Sequence, residues 1–354
     1  MSAENQPDEK KPLHQRRIRY TGTHPKAYWE KYKELQPEQY AKDVAQVIEK
    51  GRTPAGMHLP ICVNEILAFL RIAPGQTGLD ATLGYGGHSL EMLKCLQGKG
   101  CLYAVDVDAL ELPRTKARLE RLGYGPDILR VRMMNFSQID QLLPESGPFD
   151  FILADLGVSS MQIDNPERGF SFKHDGPLDL RLNPGAGITA AERLKTMSAD
   201  ELEGMLRENA DEPYAAPIAR GICSAMKKGA EITTTAQLRA AIVSALKSVP
   251  NLGDDDVKKS CQRCFQALRI DVNRELDALY EFLEKLPEAL APGGRVAILS
   301  FHSGEDRLVK KSLKHYLREG IYRDAAPDPV RPSAEECFAN SRARSAKLRW
   351  AIKA

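Results

Sequence analysis

Residues 78–89 read GLDATLGYGGHS, a short apolar segment that leads into a glycine-rich turn and the start of a helix. We predict a buried strand over residues 78–83 and a helix over residues 89–96. The glycines between them let the backbone turn tightly and let a ligand approach it closely. Asp106 lies 19 positions after Gly87, at the end of the next apolar segment. A carboxylate there can accept hydrogen bonds from both ribose hydroxyls of an adenosine. The pattern therefore predicts a site for an adenosine-containing ligand.

The spacing of the glycines separates two such ligands. The dinucleotide fingerprint is G-x-G-x-x-G, which seats a pyrophosphate at the helix N-terminus, whereas this turn reads G-x-G-G-H-S. The carboxylate of Asp80 would repel a pyrophosphate but suits the cationic methionine moiety of S-adenosylmethionine (AdoMet). We therefore expect AdoMet rather than NAD. The alternative interpretation is that these are ordinary turn glycines.

Apolar segments alternate with helical ones along much of the chain. This alternation predicts an α/β fold of Rossmann-like type, with a mostly parallel sheet and right-handed crossovers. It stops between residues 188 and 246, where the pattern is helical throughout, and strand character returns at residues 295–300. An inserted helical domain is therefore predicted. The other predicted strands are residues 101–106, 127–133, 149–155 and 346–352.

The same patterns predict how the chain is divided. Residues 1–56 form an N-terminal extension that is partly disordered and partly helical. The α/β domain then occupies residues 57–182 and 263–354, and the helical insertion, for substrate recognition, occupies residues 183–262.

Composition restricts the class of protein. The chain has 354 residues, a net charge of +2 and no apolar run near the length of a membrane helix. Its N-terminus lacks the apolar core of a signal peptide. Its seven cysteines are odd in number and scattered, which suits free thiols in a reducing cytosol. We predict a cytoplasmic protein without a membrane segment, and no metal site, because Cys261 and Cys264 lack a partner pair.

The loop after the strand at 149–155 contains the next candidate residues. Asp155 ends that strand, where ligands bind in open α/β sheets. Residues 164–181 are charged, aromatic and glycine-rich without periodicity, which favours a binding loop. Phe136 follows the preceding strand and is predicted either to cover an adenine face or to belong to the core.

Long segments of the chain resemble the bacterial 16S ribosomal RNA cytosine-N4 methyltransferases, also called the RsmH or MraW family. The resemblance extends from about Met57 to the C-terminus. The matching segments are HLP at 58–60 with Glu65, DATLGYGGHS at 80–89, DVD at 106–108, DLGVSSMQID at 155–164, RGFSFKHDGPLDLR at 168–181, CFQALRIDVNREL at 264–276, PGGRVAILSFHSGEDRLVK at 292–310 and SRARSAKLR at 341–349.

The resemblance implies a class I AdoMet-dependent methyltransferase fold with an inserted helical domain. It implies methyl transfer to the exocyclic N4 amine of a cytidine at the decoding centre of 16S rRNA, position 1402 in standard rRNA numbering. The implied partner is 16S rRNA or the small ribosomal subunit, and a homodimer is compatible with the sequence. The family's AdoMet contacts fall on Gly86, Gly87, His88, Asp106, Phe136, Asp155 and Gln162.

Several polar residues are candidates for the chemistry and for RNA contact. Asp155 is the catalytic candidate, as an acceptor shared between AdoMet and the target amine. His302 is a base, an RNA contact or a hydrogen-bonded loop histidine. Arg269 and Asn273 share a helix face, so they either line a pocket for the target base or anchor the insertion. Clustered Lys and Arg near the C-terminus favour contact with RNA phosphates. The predicted RNA contacts are Arg168, Arg181, Arg269, Asn273, His302, Arg344 and Arg349.

The chain also departs from the family pattern. Gly304 replaces the usual leucine of FHSLED, and residues 340–342 read NSR instead of NPR. The extension before Met57 is not typical. These departures favour a paralogue with a shifted RNA target as one alternative. Methylation of another nucleic-acid amine and a non-catalytic assembly factor that binds AdoMet or RNA are the other two.

Overall fold

A computed structural model describes residues 60–354 of the chain. The extension predicted over residues 1–56 and the motif residues 58 and 59 lie outside the described residues. Within residues 60–354, no helix has both the length and the apolar character needed to cross a membrane.

A seven-stranded sheet forms the centre of the described part. Its strands are largely apolar and buried on both faces, as expected for a parallel sheet covered by helices. The strands are β1 (Thr77–Asp80), β2 (Cys101–Asp106), β3 (Leu129–Met133), β4 (Phe149–Asp155), β5 (Leu290–Ser300), β6 (Tyr322–Ala325) and β7 (Lys347–Lys353). Their order is β3-β2-β1-β4-β5-β7-β6. β7 is antiparallel to both of its neighbours and the other pairs are parallel. The predicted mostly parallel α/β fold is confirmed.

The helices connect these strands. The helices of eight or more residues in the α/β part are α1 (Val63–Leu70), α2 (Gly87–Leu96), α3 (Glu111–Arg121), α11 (Glu275–Ala289) and α12 (Ser303–Arg318), and the shorter ones are α4 (Leu143–Ser146), α5 (Ser160–Asp164) and α13 (Ala334–Ala339). The intervening helices are α6 (Ala190–Thr196), α7 (Ala199–Ala210), α8 (Ala215–Lys227), α9 (Thr235–Leu246) and α10 (Asp254–Asn273).

Helices α6 to α10 enclose an apolar core of their own. This core contains buried side chains from Phe170 to Leu268 and includes Cys261 and Cys264. Three of these helices begin with a capping box, at Thr189, Ser198 and Thr234. The apolar cluster extends beyond both predicted limits of the insertion, residues 183 and 262, and the division into domains stays a prediction.

The strand order reverses between β1 and β4, which lie side by side in parallel register. From β1 the chain proceeds outward to β2 and β3, then returns to β4 and continues to the other edge. In open α/β sheets the crevice outside the carboxyl ends of the strands at such a reversal is where ligands bind. The fold therefore brings the residues after β1, β2 and β4 together.

The strand bounds agree with the sequence prediction in part. β2 and β4 have their predicted bounds, whereas β1 ends at Asp80, three residues early. Beyond Asp80 only single bonds to the flanking strands remain, from Ala81 N to Leu153 O and from Leu83 N to Val105 O. β5 begins at Leu290 instead of residue 295, and β6 was not predicted.

Candidate functional site

A cavity of about 430 Å³ opens at the carboxyl ends of the central strands. Its volume lies in the range of roughly 300–1,000 Å³ that is usual for small-molecule sites. The α/β part forms one side of the cavity, and Gln266, Arg269 and Asn273 of α10 contribute to the other. The residues predicted to hold AdoMet that line it are Gly87, His88, Asp106, Phe136, Asp155 and Gln162.

The glycine turn between β1 and α2 is fastened to α3. The Thr115 hydroxyl donates a 2.7 Å hydrogen bond to the carbonyl of Gly84. Gly86 has a φ of +69°, and a Cβ on it would lie 2.9 Å from Thr115 Cγ2. The position therefore requires glycine for both conformation and packing. Gly86 is not among the residues that line the cavity, so the structure gives it a role in shaping the turn.

Asp106 ends β2 and faces the cavity. The backbone N–H of Gly84 donates to its Oδ2 at 2.7 Å, and the N–H of Asp108 donates to its Oδ1 at 2.8 Å. Burial raises the pKa of Asp106 above its usual value, and the two backbone donors oppose that rise. Because each carboxylate oxygen has two lone pairs, both oxygens keep capacity for a ribose hydroxyl.

Phe136 opens a 3₁₀ helix that spans Phe136–Leu142. Its ring packs edge-on against Phe282 of α11, with centroids 5.3 Å apart, and it also lines the cavity. Phe136 therefore packs in the core and also forms part of the cavity wall. That the ring covers an adenine stays a prediction.

Asp155 and His88 meet on the cavity wall. Asp155 ends β4, and its backbone N–H donates to Thr82 Oγ1 at 2.7 Å. His88 Nε2 lies 3.4 Å from Asp155 Oδ2, which is an ion-pair distance at the outer limit of a hydrogen bond. His88 Nε2 and Asp155 Oδ1 are both buried and have no hydrogen-bond partner. Two unpartnered polar atoms of opposite character therefore adjoin the cavity.

Asp80 is placed differently from the sequence prediction. It is 1% exposed and does not line the cavity. Its Oδ2 accepts a 2.6 Å hydrogen bond from Ser89, and its Oδ1 accepts one from the Thr82 N–H. Burial raises the pKa of Asp80 to about 6, although the bond from Ser89 lowers it. Asp80 therefore braces the start of α2 behind the turn and does not face a methionine moiety.

Gln162 and Arg168 converge on a third residue, Asp108. Gln162 Nε2 donates to Asp108 Oδ2 at 2.7 Å, and Arg168 Nη1 donates to the same oxygen at 2.9 Å. Gln162 Oε1 accepts from the Ser159 N–H in the capping box of α5. Arg168 is 5% exposed, and its Nη2 donates to the carbonyls of residues 181 and 182. The prediction that Arg168 contacts RNA is therefore wrong, because its guanidinium is consumed inside the protein.

The α10 side of the cavity is built by two of the predicted residues and one that was missed. Asn273 bonds to the loop of the insertion, accepting from Leu182 N at 2.7 Å and donating to Leu180 O at 2.7 Å. Arg269 forms two 2.8 Å hydrogen bonds with Glu275. Arg269 and Asn273 both line the cavity, and Asn273 ties α10 to the segment that precedes the insertion. That they line a pocket for the target base stays a prediction. Glu275, the first residue of α11, lies in the matching segment 264–276 but was not singled out from the sequence.

His302 is the N-cap residue of α12. Its Nδ1 accepts from the Glu305 N–H at 3.4 Å, and its Nε2 lies 3.1 Å from Glu305 Oε1. Glu305 in turn accepts from the Phe301 N–H at 2.9 Å. Of the three predicted roles, the structure assigns His302 that of a hydrogen-bonded histidine at a helix start. The His-x-x-Glu spacing is the signal that a capping box needs.

The remaining predicted RNA contacts differ in exposure. Arg349 is buried, and its Nε donates to Asp306 at 2.6 Å, so its prediction as an RNA contact is wrong. Arg181 is mostly buried and forms a bidentate pair with Asp179. Arg344 is exposed and has no ion pair among the described residues. Of these three, only Arg344 offers an accessible guanidinium.

One further arginine, missed by the sequence analysis, lines the cavity. Arg342 Nη2 donates to Asp164 at 3.1 Å, whereas its Nη1 is buried without a partner. Away from the cavity, Cys261 and Cys264 are buried in α10, and burial raises the pKa of both thiols. They belong to no cluster of three potential metal ligands in residues 60–354.

Comparison with known proteins identifies the family. Residues 55–354 match the MraW methylase family. The chain belongs to this family. The family assignment confirms the resemblance read from the sequence and makes the chain a methyltransferase.

Relatives within the family are highly similar. The chain is 70% identical over 348 residues to "Ribosomal RNA small subunit methyltransferase H 2" of Alkaliphilus metalliredigens, covering 98% of this chain and 100% of the relative. It is 63% identical to "Ribosomal RNA small subunit methyltransferase H 1" of Lachnoclostridium phytofermentans, covering 99% and 96%. It is 40% identical to "Ribosomal RNA small subunit methyltransferase H" of Acidobacterium capsulatum, covering 84% and 98%.

The coverage of these relatives bears on the N-terminal extension. The first two matches extend over nearly all of the chain, so they include most of residues 1–56. The family match itself begins at residue 55. The extension is therefore shared with some members of the MraW methylase family, outside the region that defines the family.

The cavity fits AdoMet, the methyl donor implied by the family. Asp106 offers acceptor capacity on both carboxylate oxygens, and the glycine turn lets a ligand approach the backbone. Asp155 Oδ1 is a buried acceptor that lacks a donor, which is unfavourable unless a ligand supplies one. Phe136 adds an apolar wall.

Proposed function

We propose that this protein transfers a methyl group from AdoMet to the N4 amine of a cytidine in 16S rRNA. One observation carries the proposal: the buried, unpartnered Oδ1 of Asp155 lies in a cavity walled by the ends of β2 and β4 on one side and by α10 on the other. A carboxylate placed there accepts a hydrogen bond from an exocyclic amine. The names of the relatives support rRNA of the small subunit as the substrate.

The cofactor is held by the α/β side of the cavity. Asp106 binds the ribose hydroxyls and Phe136 packs on the adenine. The glycine turn at Gly87 lets AdoMet come into close contact with the backbone. When bound, AdoMet supplies a methyl group on a positively charged sulfur. The chain's own residues provide position and charge, which account for most of the catalysis of an in-line displacement.

Asp155 prepares the amine. A cytosine amine is a poor nucleophile because its lone pair is delocalised into the ring. An N–H···Oδ1 bond to Asp155 holds the amine in place and favours localisation of that lone pair on nitrogen. The side chain of Asp155 lines the cavity and is 30% exposed, whereas Oδ1 itself is buried, so a rotation of the carboxyl group has to present Oδ1 to a base that enters. The Thr82 hydroxyl fixes the backbone of Asp155, which keeps the carboxylate in position.

The target cytidine has to leave its base pair to enter, because an amine inside a duplex cannot be reached. Cations along helix α12 and at Arg344 suit the phosphates around such a base. Helix α12 begins at His302, on the cavity wall. Its exposed cations include Lys310, Lys311, Lys314 and Arg318, and Arg307 is exposed but pairs with Asp211. Arg344 is exposed one residue before Ser345, which also lines the cavity. We propose that these residues guide rRNA to the cavity.

The decoding-centre cytidine is the proposed target, and a different rRNA amine is the second candidate. The specific observation for the second is Gly304, where the family usually has leucine. A Cβ on Gly304 would lie 3.1 Å from His302 Nδ1, so a leucine there would crowd the capping histidine on the cavity wall. Glycine at position 304 therefore leaves room beside the capping histidine.

The experiment uses the full chain, AdoMet with a labelled methyl group, and small ribosomal subunits from a strain that lacks the modification. Mass spectrometry of the digested rRNA locates the label. We expect a methyl group on the decoding-centre cytidine with the wild type and none with Asp155→Asn. Asp328→Asn, an exposed carboxylate, is the matched control and should methylate normally. Label on another nucleotide would favour the second candidate, and binding of S-adenosylhomocysteine without any transfer would overturn the proposal.

A further inference from the structure

Methyl transfer to an amine creates a surplus proton inside a buried cavity. The amine nitrogen bonds to the methyl carbon as the carbon–sulfur bond breaks, and that electron pair stays on sulfur. The sulfur loses its positive charge, and the nitrogen gains it until one N–H proton departs. The positive charge that was on sulfur is therefore released from nitrogen as a proton, and this proton needs an acceptor within reach.

His88 is placed to hold that proton. It is 8% exposed, and its Nε2 lacks a hydrogen-bond partner while lying 3.4 Å from Asp155 Oδ2. The other Asp155 oxygen, Oδ1, is also buried and unpartnered. One oxygen of Asp155 is therefore available to the amine, while the other adjoins the imidazole. This arrangement is a path of two short steps from amine to histidine.

The charges around His88 favour the imidazolium. Asp155 and Asp80, at the ends of β4 and β1, and Glu336 on α13 all attract a proton to it. Burial by itself would lower the pKa of His88, but the contact with Asp155 and the nearby carboxylates outweigh it and raise that pKa above its ordinary value. A positive charge left here after the reaction is thus compensated.

The other bases in or near the cavity have different partners. Both oxygens of Asp106 accept backbone N–H bonds. His302 Nε2 is also buried without a hydrogen-bond partner, but it faces Glu305 Oε1 at 3.1 Å, and its Nδ1 accepts from the Glu305 N–H in the cap of α12. Asp80 is bonded to Ser89 behind the turn. Among the cavity-lining bases, His88 combines an unpartnered ring nitrogen with contact to Asp155.

We infer that His88 is a catalytic proton acceptor, which receives the proton of the methylated amine through Asp155 and ends the reaction as the imidazolium. This role rests on the proposed function and adds a residue to it. It is distinct from the cofactor contact that the family resemblance implies for His88. The step is balanced: nitrogen gains a methyl and loses a proton to Oδ1, and sulfur keeps the electron pair. The carboxylic acid then turns about its Cβ–Cγ bond so that this O–H faces Nε2, donates the proton there and is restored to the carboxylate.

The test compares His88→Gln with the wild type in single-turnover methylation of small subunits across the neutral pH range. We expect His88→Gln to lower the rate constant by about 100-fold or more, with the dissociation constant of S-adenosylhomocysteine changed by less than about threefold. The wild-type rate should rise with pH as His88 becomes neutral, and this rise should disappear in the variant. Added imidazole should restore part of the activity of His88→Ala. His315→Gln, an exposed histidine on α12, should behave as the wild type.

Three results would overturn the inference. They are a His88→Gln rate within about threefold of the wild type, an unchanged pH profile in that variant, or a loss of rate matched by loss of S-adenosylhomocysteine binding. If the variant does not fold, NMR titration of the His88 ring in the wild type decides. Its pKa should fall in Asp155→Asn, and no fall would overturn the inference. Absence of methyl transfer by the wild type would instead count against the proposed function.

Discussion

Arg168 and Asp108 form a buried ion pair in which Nη1 and Oδ2 are 2.9 Å apart and the side chains are 5% and 2% exposed. The pair joins the loop after β2 to the segment that leads into the helical insertion. Arg168 Nη2 also donates a hydrogen bond to the carbonyl of Leu182, a residue that lines the cavity. The two walls of the cavity are therefore linked through one guanidinium.

Arg168→Ala should destabilise the fold because it leaves the Asp108 carboxylate buried without its cation. Loss of one partner of such a pair costs about 3–5 kcal/mol. Urea unfolding measures the change. Arg207→Ala removes an exposed arginine that pairs with Glu203 one helical turn away, and it should cost no more than about 1 kcal/mol. A stable Arg168→Ala with weakened RNA binding would instead reinstate Arg168 as an RNA contact.

The glycine turn allows a matched pair of substitutions. Gly86 and Gly98 both have positive φ, +69° and +73°, but only at Gly86 would a Cβ collide with a neighbour. We expect Gly98→Ala to cost about 1 kcal/mol from backbone strain alone. Gly86→Ala should cost more and should weaken S-adenosylhomocysteine binding, because the turn would shift away from α3. Thermal unfolding and calorimetric titration measure the two effects. Equal costs for both substitutions would mean that the contact with Thr115 does not matter.

The buried carboxyl group of Asp80 should make the free energy of unfolding depend on pH. Its pKa is raised in the folded protein from 3.8 to about 6, so folding favours the protonated form. Its contribution is therefore present below about pH 4 and is lost as pH rises through about 6. The free energy of unfolding falls by about 3 kcal/mol over this pH range. Asp80→Asn removes the titration and keeps an acceptor for Ser89, so the variant should gain stability relative to the wild type as pH rises from about 4 to about 8.

Denaturant unfolding of both proteins at the two pH values tests this prediction. Asp328→Asn, at an exposed position, corrects for the general effect of removing a carboxylate. A difference between Asp80→Asn and the wild type that stays constant with pH would contradict the burial argument.

Arg344 should contribute to RNA binding through phosphate contact. It is exposed and has no ion pair among the described residues, so Arg344→Ala should leave the fold unchanged. The slope of log affinity against log salt concentration should decrease by about one, because one phosphate contact is lost. Filter binding at several salt concentrations measures the slope. Arg121→Ala, an exposed arginine on α3, is the control, and an equal effect of both variants would remove any specific role for Arg344.

The sequence predicted the sheet well where apolar runs are continuous. β2 and β4 were placed at their observed bounds because their buried residues form unbroken runs between glycine or charged boundaries. β6 was missed, since Tyr322–Ala325 has two exposed charged residues in its four and lies at the edge of the sheet. Edge strands with one solvated face have too little apolar pattern to stand out.

The sequence indicated which residues belong to the candidate site better than it indicated which partners they contact. Asp106, Phe136, Asp155 and His88 line one cavity because strand ends in a parallel sheet lie together, and their contact with AdoMet stays a prediction. Arg168 and Arg349 were misassigned because an arginine in a polar segment looks the same whether its partner is an RNA phosphate or a buried carboxylate. Their partners, Asp108 and Asp306, are 60 and 43 positions away, and only the fold brings them close.

The most direct test of the central claim is the chemical identity of the methylated nucleoside. Small subunits lacking the modification are incubated with the full chain and AdoMet, and the nucleosides are separated and identified by mass spectrometry against standards. The account predicts N4-methylcytidine, because the Asp155 carboxylate binds an exocyclic amine. Methylation on a ring carbon or a ribose hydroxyl, with no N4-methylcytidine formed, would contradict it.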